Sequence, residues 1–358
     1  MQEEVLYNVK NGVGIITLNR PDRLNALTFN MVQSISQNLV NWEKDDKIKT
    51  VIIEGAGEKA FCAGGDVVNL RKKVLEEGGP PTELSRNFFY EEYLVNYKIN
   101  QFRKPFVALI DGVTMGGGVG VSMHGSHVVS TEKTMFAMPE TAIGLFPDVG
   151  GGWLLAQLNS GLGLWLALTG DRLRAYDLLK TGLVNFYINS NKIGDLKEAL
   201  IQVSSDKKED ITNLINSYSS KPEKISVIEN NEEVIKQIFE HGTIEKIFEE
   251  LELLIIEGND FAVHTKKELL VKSPTSLKIT LKQITQARQM SLAEDLVMEY
   301  RMVQKCQSSG DFYEGVRAML VDKDRKPKWN PNSIDKVDEI WVNHFFEPLN
   351  ENDLKIKT

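Results

Sequence analysis

The residue types able to do chemistry fall in three segments. Residues 136–153, FAMPETAIGLFPDVGGGW, set Glu140 and Asp148 among Phe136, Met138, Ile143, Leu145 and Phe146. A carboxyl group in such weakly polar surroundings is pushed toward a raised pKa, which is what a general acid or base needs at neutral pH. The same residues also read as local structure, with Glu140 capping a turn and Asp148 as the N-cap of a helix beginning near Gly151. Residues 114–125, TMGGGVGVSMHG, follow a predicted strand, so that Gly116, Gly117 and Gly118 open a helix. Each glycine inside a helix costs about 1 kcal/mol relative to alanine, so three together ask for a reason. Either a ligand approaches the unpaired N–H groups and positive dipole of the helix start, as a phosphate or developing oxyanion would, or the helix packs tightly on a sheet. The cluster alone weighs these equally. The third segment, FCAGGD at 61–66, places Gly64 and Gly65 just beyond a strand end, which taken alone is ordinary loop chemistry.

Other patterns carry less. GVSMHG at 120–125 resembles a serine-hydrolase elbow, but that turn needs glycine where His124 stands, so Ser122 is not read as a nucleophile. His124 and His127 form HxxH with no third ligand in view, and read as core or surface histidines. The glycines match neither a Walker loop nor GxGxxG. Cys62 and Cys306, far apart, support no disulfide framework or zinc site and suit a reducing compartment. With 42 Lys plus Arg against 50 Asp plus Glu, the net charge of -8 opposes a nucleic-acid backbone. The basic run KDRKPK at 323–328 could meet one anionic group. No 18-residue apolar run suggests a membrane span. The N-terminal residues show neither a secretion signal nor a transit-peptide pattern, and DLKIKT matches no peroxisomal or reticulum-retention signal.

The elements that must position these groups follow from periodicity. Residues 12–18 and 50–54 are β-branched runs, and between them Met31, Val32, Ile35, Leu39 and Trp42 recur at helical spacing. Residues 105–110, Val128–Val129 and Met135–Met138 add strands, so the first half is α/β. No tandem repeat of fixed period is visible, although strand and helix alternate regularly enough to suggest stacked units. KKVLEEGGPPTELSR at 72–86 reads as a mobile excursion, a candidate lid. Residues 187–233, rich in Asn, Ser, Lys and Glu, read as solvated helices and connections, which puts a domain border there: an α/β core over 1–190 and a mainly α-helical region over 191–358. In the latter, 235–256 and 291–306 carry helical periodicity.

Taken together, LNRPDRLNALT at 18–28, FCAGGD, ALIDGVTMGGGVG at 108–120 and PETAIGLFPDVGGG at 139–152 resemble the crotonase (enoyl-CoA hydratase/isomerase) superfamily in order and spacing. GDFYEGVRAMLVDKDRKPKWNP at 310–331 resembles the C-terminal signature of its 3-hydroxyisobutyryl-CoA hydrolase branch. The resemblance implies a spiral of ββα units followed by helices, with a coenzyme A thioester as small-molecule substrate. By this match the amides of Gly65 and Gly117 form an oxyanion hole, and Arg23, Leu24, Asp66 and Val68 fall where the family contacts the coenzyme. Hydratases carry a catalytic glutamate two positions past the glycine triplet, where this chain has Gly120, and tend to have glycine where it has Asp148. Glu140 and Asp148 are therefore the implied catalytic pair, with Glu92, rather than its neighbour Glu91, as a substrate-site residue. The implied reaction hydrolyses 3-hydroxyisobutyryl-CoA to 3-hydroxyisobutyrate and CoA in valine degradation. It needs no metal or redox cofactor, and involves neither nucleic acid nor membrane. A homo-oligomer fits the family, and so does a mitochondrial address, with cytoplasm and peroxisome left open. Two rivals are a dienoyl-CoA isomerase, which also spaces a Glu and an Asp eight positions apart, and a noncatalytic ribosome-associated relative.

Overall fold

The computed structural model describes residues 3–159 and 161–356. In chain order, β1 (Val5–Lys10) and β2 (Val13–Leu18) lead into α1 (Phe29–Lys44), β3 (Thr50–Gly55), β4 (Ala60–Cys62), α2 (Val67–Glu76) and α3 (Glu83–Asn100). Then come β5 (Phe106–Ile110), β6 (Val113–Met115), α4 (Gly117–Gly120), β7 (His127–Ser130), β8 (Met135–Ala137), α5 (Gly151–Ala156), α6 (Leu162–Thr169), α7 (Ala175–Thr181) and β9 (Phe186–Tyr187). The remainder is helical among the described residues: α8 (Ile193–Val203), α9 (Lys208–Tyr218), α10 (Glu232–Phe239), α11 (Ile244–Ile256), α12 (Asp260–Leu270), α13 (Pro274–Ala287), α14 (Leu292–Ser309), α15 (Asp311–Val316) and α16 (Glu339–His344). No helix among them is long and apolar enough to cross a membrane.

The chain forms two compact units that interleave along the sequence. The first is residues 1–65, 91–136 and 172–227, and the second is residues 66–90, 137–171 and 228–358. A division at residue 190 does not coincide with them, because compactness follows which side chains bury together rather than chain order. In the first unit a six-stranded sheet runs β1-β2-β3-β5-β7-β9, antiparallel only at β1-β2. A three-stranded sheet runs β4-β6-β8. Successive strands thus alternate between the sheets, β3 to β4, β5 to β6 and β7 to β8, which is the expected ββα spiral.

Helix α1 buries the five residues whose spacing predicted it, and Thr28 caps it by accepting from Met31 N at 3.2 Å. Its Trp42 lies against Gly14, on the face of β2 opposite Val13 and Ile15. That other face is covered by Leu196, Leu200 and Ile201 of α8 with Ile211 and Ile215 of α9, packed on Val13, Ile15, Ile52, Val107 and Val129. Residues 187–233 are therefore not merely solvated. Their polar composition belongs to the outer helix faces, while one apolar stripe in each helix closes the sheet. The segment 72–86 also departs from expectation, since most of it is helix and only residues 77–82 lie between α2 and α3. Gly78, Gly79, Pro80 and Pro81 break the helices without unfolding their neighbours.

In the second unit α13 packs on α5 and α6, and Trp165, Phe239, Phe312 and Phe345 are fully buried. Helix α14 begins with a capping box, Ser291 and Glu294 satisfying each other's backbone N–H.

Candidate active site

The two glycine turns converge within the first unit. Residues 24–27 run beside 63–65, with Leu27 N donating to Gly64 O at 2.8 Å and Ala63 N to Leu24 O at 3.0 Å. Asn25, fully buried at a φ of 57°, pins this arrangement by donating to the carbonyls of Ala56 and Ala60 and accepting from Arg20 N, each at 2.9 Å. Asn25 is thus the structural heart of the LNAL motif, whereas Arg23 and Leu24 beside it are exposed, open to a ligand. A Cβ built on Gly117 would lie 3.3 Å from Gly65 N, 3.2 Å from Leu27 Cδ1 and 2.5 Å from Glu92 Oε1. Gly117 is the first residue of α4, where a helix leaves N–H groups without an intrahelical acceptor, and Gly65 immediately precedes Asp66, the N-cap of α2.

Within the glycine triplet, Gly117 and Gly118 face different neighbours. A Cβ on Gly118 would fall 2.2 Å from Cys62 O, so this glycine serves tight packing of a single helical turn against β4. Its neighbour Gly117 faces Gly65 and Glu92 instead. Glu92 is 2% exposed on α3, whereas its neighbour Glu91 is half-buried. Cys62 is no nucleophile, since burial foremost pushes its thiol up to about 12. Ser122 Oγ donates back to Gly118 O at 2.6 Å, as a buried helical serine does. His127 pairs with Ser126 Oγ and Thr212 Oγ1, and burial holds its pKa below the usual value.

Glu140 and Asp148 belong to the second unit and are 6% and 5% exposed. Glu140 opens a 3-10 turn, Glu140–Ile143, closed by Leu145 N donating to Glu140 O at 3.1 Å. Behind this turn stands the C-terminal signature. A Cβ on Gly315 would be 2.4–2.6 Å from the Ile143 backbone, so α15 presses directly on it. Asp311 accepts from Ser273 Oγ at 2.7 Å and from Asn330 N at 2.8 Å, and Ser273 N in turn reaches Thr141 O at 3.3 Å. Arg317 gathers Glu314, Asp322 and Asp324, so of the 323–328 run only its acidic residue joins this ion cluster.

The N-cap position of α5 is held by Gly150 rather than by Asp148. Asp148 precedes Val149, which is held at a φ of 58°. A β-branched residue there stores roughly 1–3 kcal/mol of strain and persists only where its surroundings enforce it. The enforcing groups come from α13 and α14. Gln283 Nε2 donates to Pro147 O at 2.7 Å and to Glu299 Oε1 at 3.1 Å. Glu299 accepts from Gly150 N at 2.7 Å and Gly152 N at 3.0 Å, and Asp295 accepts from Trp153 N at 2.9 Å. Asp295 and Glu299 are both fully buried. Burial raises Asp295 to about 6, and burial, then Asp295, then Asp148 hold Glu299 well above the carboxylate range. These three residues carried no sequence signal, because an Asp and a Glu four apart on a helix read as a solvated face.

Of the positions that the resemblance assigns to the coenzyme, Asp66 is the N-cap of α2, accepting from Asn69 N at 3.1 Å, and Val68 is 40% exposed. The structure thus brings Gly65, Gly117 and Glu92 together in one unit and builds rigid supports under Glu140 and Asp148 in the other.

Comparison with known proteins agrees with this architecture. A family model for Enoyl-CoA hydratase/isomerase matches residues 13–346. A Danio rerio protein named 3-hydroxyisobutyryl-CoA hydrolase, mitochondrial, is 47% identical, covering 99% of this chain and 92% of its own. A crystal structure of a carnitinyl-CoA dehydratase from Mycobacterium thermoresistibile superposes with a TM-score of 0.90 at 35% identity, covering 99% of both chains. One of an enoyl-CoA hydratase from Rhodobacter sphaeroides gives 0.88 at 33%, covering 99% of this chain and 100% of that one. The chain belongs to the enoyl-CoA hydratase/isomerase family.

Proposed function

We propose that the protein is a thioester hydrolase that converts 3-hydroxyisobutyryl-CoA and water to 3-hydroxyisobutyrate and CoA, a step in valine degradation. The observation that carries this reading is the approach of Gly65 N and the Gly117 backbone, 3.3 Å from one to a Cβ built on the other. Two donors from separate loops can then share one acyl oxygen, and each such donor is typically worth about 100- to 1000-fold in rate. Attack on the thioester carbon drives negative charge onto that oxygen, the C–S bond breaks, and the leaving thiolate takes up a proton.

Glu140 either activates the water or attacks the carbonyl itself to give an anhydride that water cleaves. Asp148 orients the 3-hydroxyl or shares in proton transfer, and Glu92 lines the acyl side. Arg23, Leu24, Asp66 and Val68 contact the coenzyme. No metal or redox cofactor is called for, because the thioester is already an activated acyl group. The mitochondrial designation of the 47%-identical relative supports the same compartment here, and the partner is the small-molecule substrate.

The two solved neighbours, described as a dehydratase and a hydratase, favour a second reading in which water adds to or leaves a double bond. Gly120 weighs against it, since it stands where the hydratase pattern needs a second glutamate and is itself buried within α4. Thiol release from 3-hydroxyisobutyryl-CoA, run beside hydration of crotonyl-CoA, separates the two. Fast release with negligible hydration is expected, and efficient hydration would overturn the hydrolase reading. Labelled oxygen from water appearing in Glu140 would identify the anhydride route.

A further inference from the structure

We propose that Glu299 is a positioning residue for the hydrolysis, holding Asp148 in its working orientation by clamping the backbone around it together with Gln283 and Asp295. This inference rests on the hydrolase reading. The clamp grips both flanks of Asp148: the carbonyl before it through Gln283 Nε2 to Pro147 O at 2.7 Å, and the amides after it through Glu299 to Gly150 N and Gly152 N at 2.7 and 3.0 Å. Between the two grips Val149 sits at a φ of 58°, a conformation that valine leaves unless it is held. Gln283 also reaches Glu299 Oε1 at 3.1 Å, so the two grips form one unit, and Asp295 extends it to Trp153 N at 2.9 Å.

A helix start could be satisfied by a neutral cap. A fully buried pair of carboxyl groups is a costly alternative, and here it lies within the electrostatic reach of Asp148. The two oxygens of the Glu299 carboxyl group accept from Gly150 N and Gly152 N at once, and Glu299→Gln replaces one acceptor oxygen with an NH2 donor while keeping the shape.

The test follows thiol release from 3-hydroxyisobutyryl-CoA by wild type, E299Q, D148N and the double variant. E299Q is expected to lower kcat about 30-fold with KM changed less than about 3-fold, the signature of a lost transition-state interaction. In the D148N background E299Q is expected to change kcat by less than about 3-fold, because Glu299 acts through Asp148. Unchanged kcat in E299Q, or losses that multiply in the double variant, would overturn the inference while leaving hydrolysis standing. If E299Q does not fold, D295N, which replaces one of the two oxygens that Asp295 offers to Trp153 N and to Glu299, passes through the same cycle with the same two readings. A wild-type protein that releases no thiol sinks the hydrolase reading, and this inference with it.

Discussion

A methyl group on Gly117 would sit 2.5 Å from Glu92 Oε1 and 3.3 Å from Gly65 N, in the space proposed for the acyl oxygen. Gly117→Ala is therefore expected to lower kcat at least about 100-fold, the scale of one lost oxyanion donor, while thermal unfolding stays near that of wild type. Glu140→Gln should cost about 100- to 10,000-fold in thiol release, the range of a lost general base, with KM little changed. The two cysteines make the opposite prediction. Burial pushes the Cys62 thiol up to about 12 and raises Cys306 well above its ordinary value, so both stay protonated and inert at neutral pH. Iodoacetamide at pH 7.5 should leave thioester hydrolysis intact, and rapid inactivation would point to a nucleophilic cysteine.

The turn at Glu140–Ile143 is closed by its own backbone hydrogen bonds and has α15 pressed against it. Gly315→Ala would drive a Cβ to within 2.4–2.6 Å of the Ile143 backbone. A cost of about 1–3 kcal/mol in stability is expected, as for other overpacked contacts, together with a fall in kcat larger than that in substrate affinity. Calorimetry beside steady-state kinetics checks both. The segment 310–331 thus packs against the turn that carries Glu140. Helix α1 was legible because its apolar residues recur every three to four positions. The helices of 193–218 were under-read because their composition is polar and only the sheet beneath them shows which stripe is buried. Residues 72–86 looked like one long excursion because two glycines and two prolines in a row outweigh flanking helical residues in any local reading.

For the molecule as a whole, the buried acid pair makes stability depend on pH. Burial raises Asp295 to about 6 in the folded state, against an ordinary value of 3.8, so between those pH values the folded state binds more protons than the unfolded one. The stability this contributes is fully present below about pH 4 and is lost as pH rises through about 6. At about 1.4 kcal/mol per pH unit the effect is at most about 3 kcal/mol. Asp295→Asn should therefore be penalised more at pH 4 than at pH 8, and its melting temperature should fall less steeply than that of wild type across this interval. A wild-type melting temperature that rises between pH 4 and pH 8 by more than the variant's would contradict the assignment.

The residues alone determined the kinds of groups in play and their order: two glycine turns, a Glu and an Asp eight positions apart, a glycine at 120, and α/β alternation. These are local properties, set by side-chain type and spacing, and they suffice to identify a family. Tertiary structure decided that Gly117 meets Gly65 while Gly118 only packs, that Glu92 rather than Glu91 is buried, and that Glu299 grips the chain beyond Asp148. It also decided that 172–227 belongs with the large sheet. Each of these joins positions tens to hundreds of residues apart, and such pairings are settled by what the folded chain can bury and hydrogen-bond together, a quantity no local window contains.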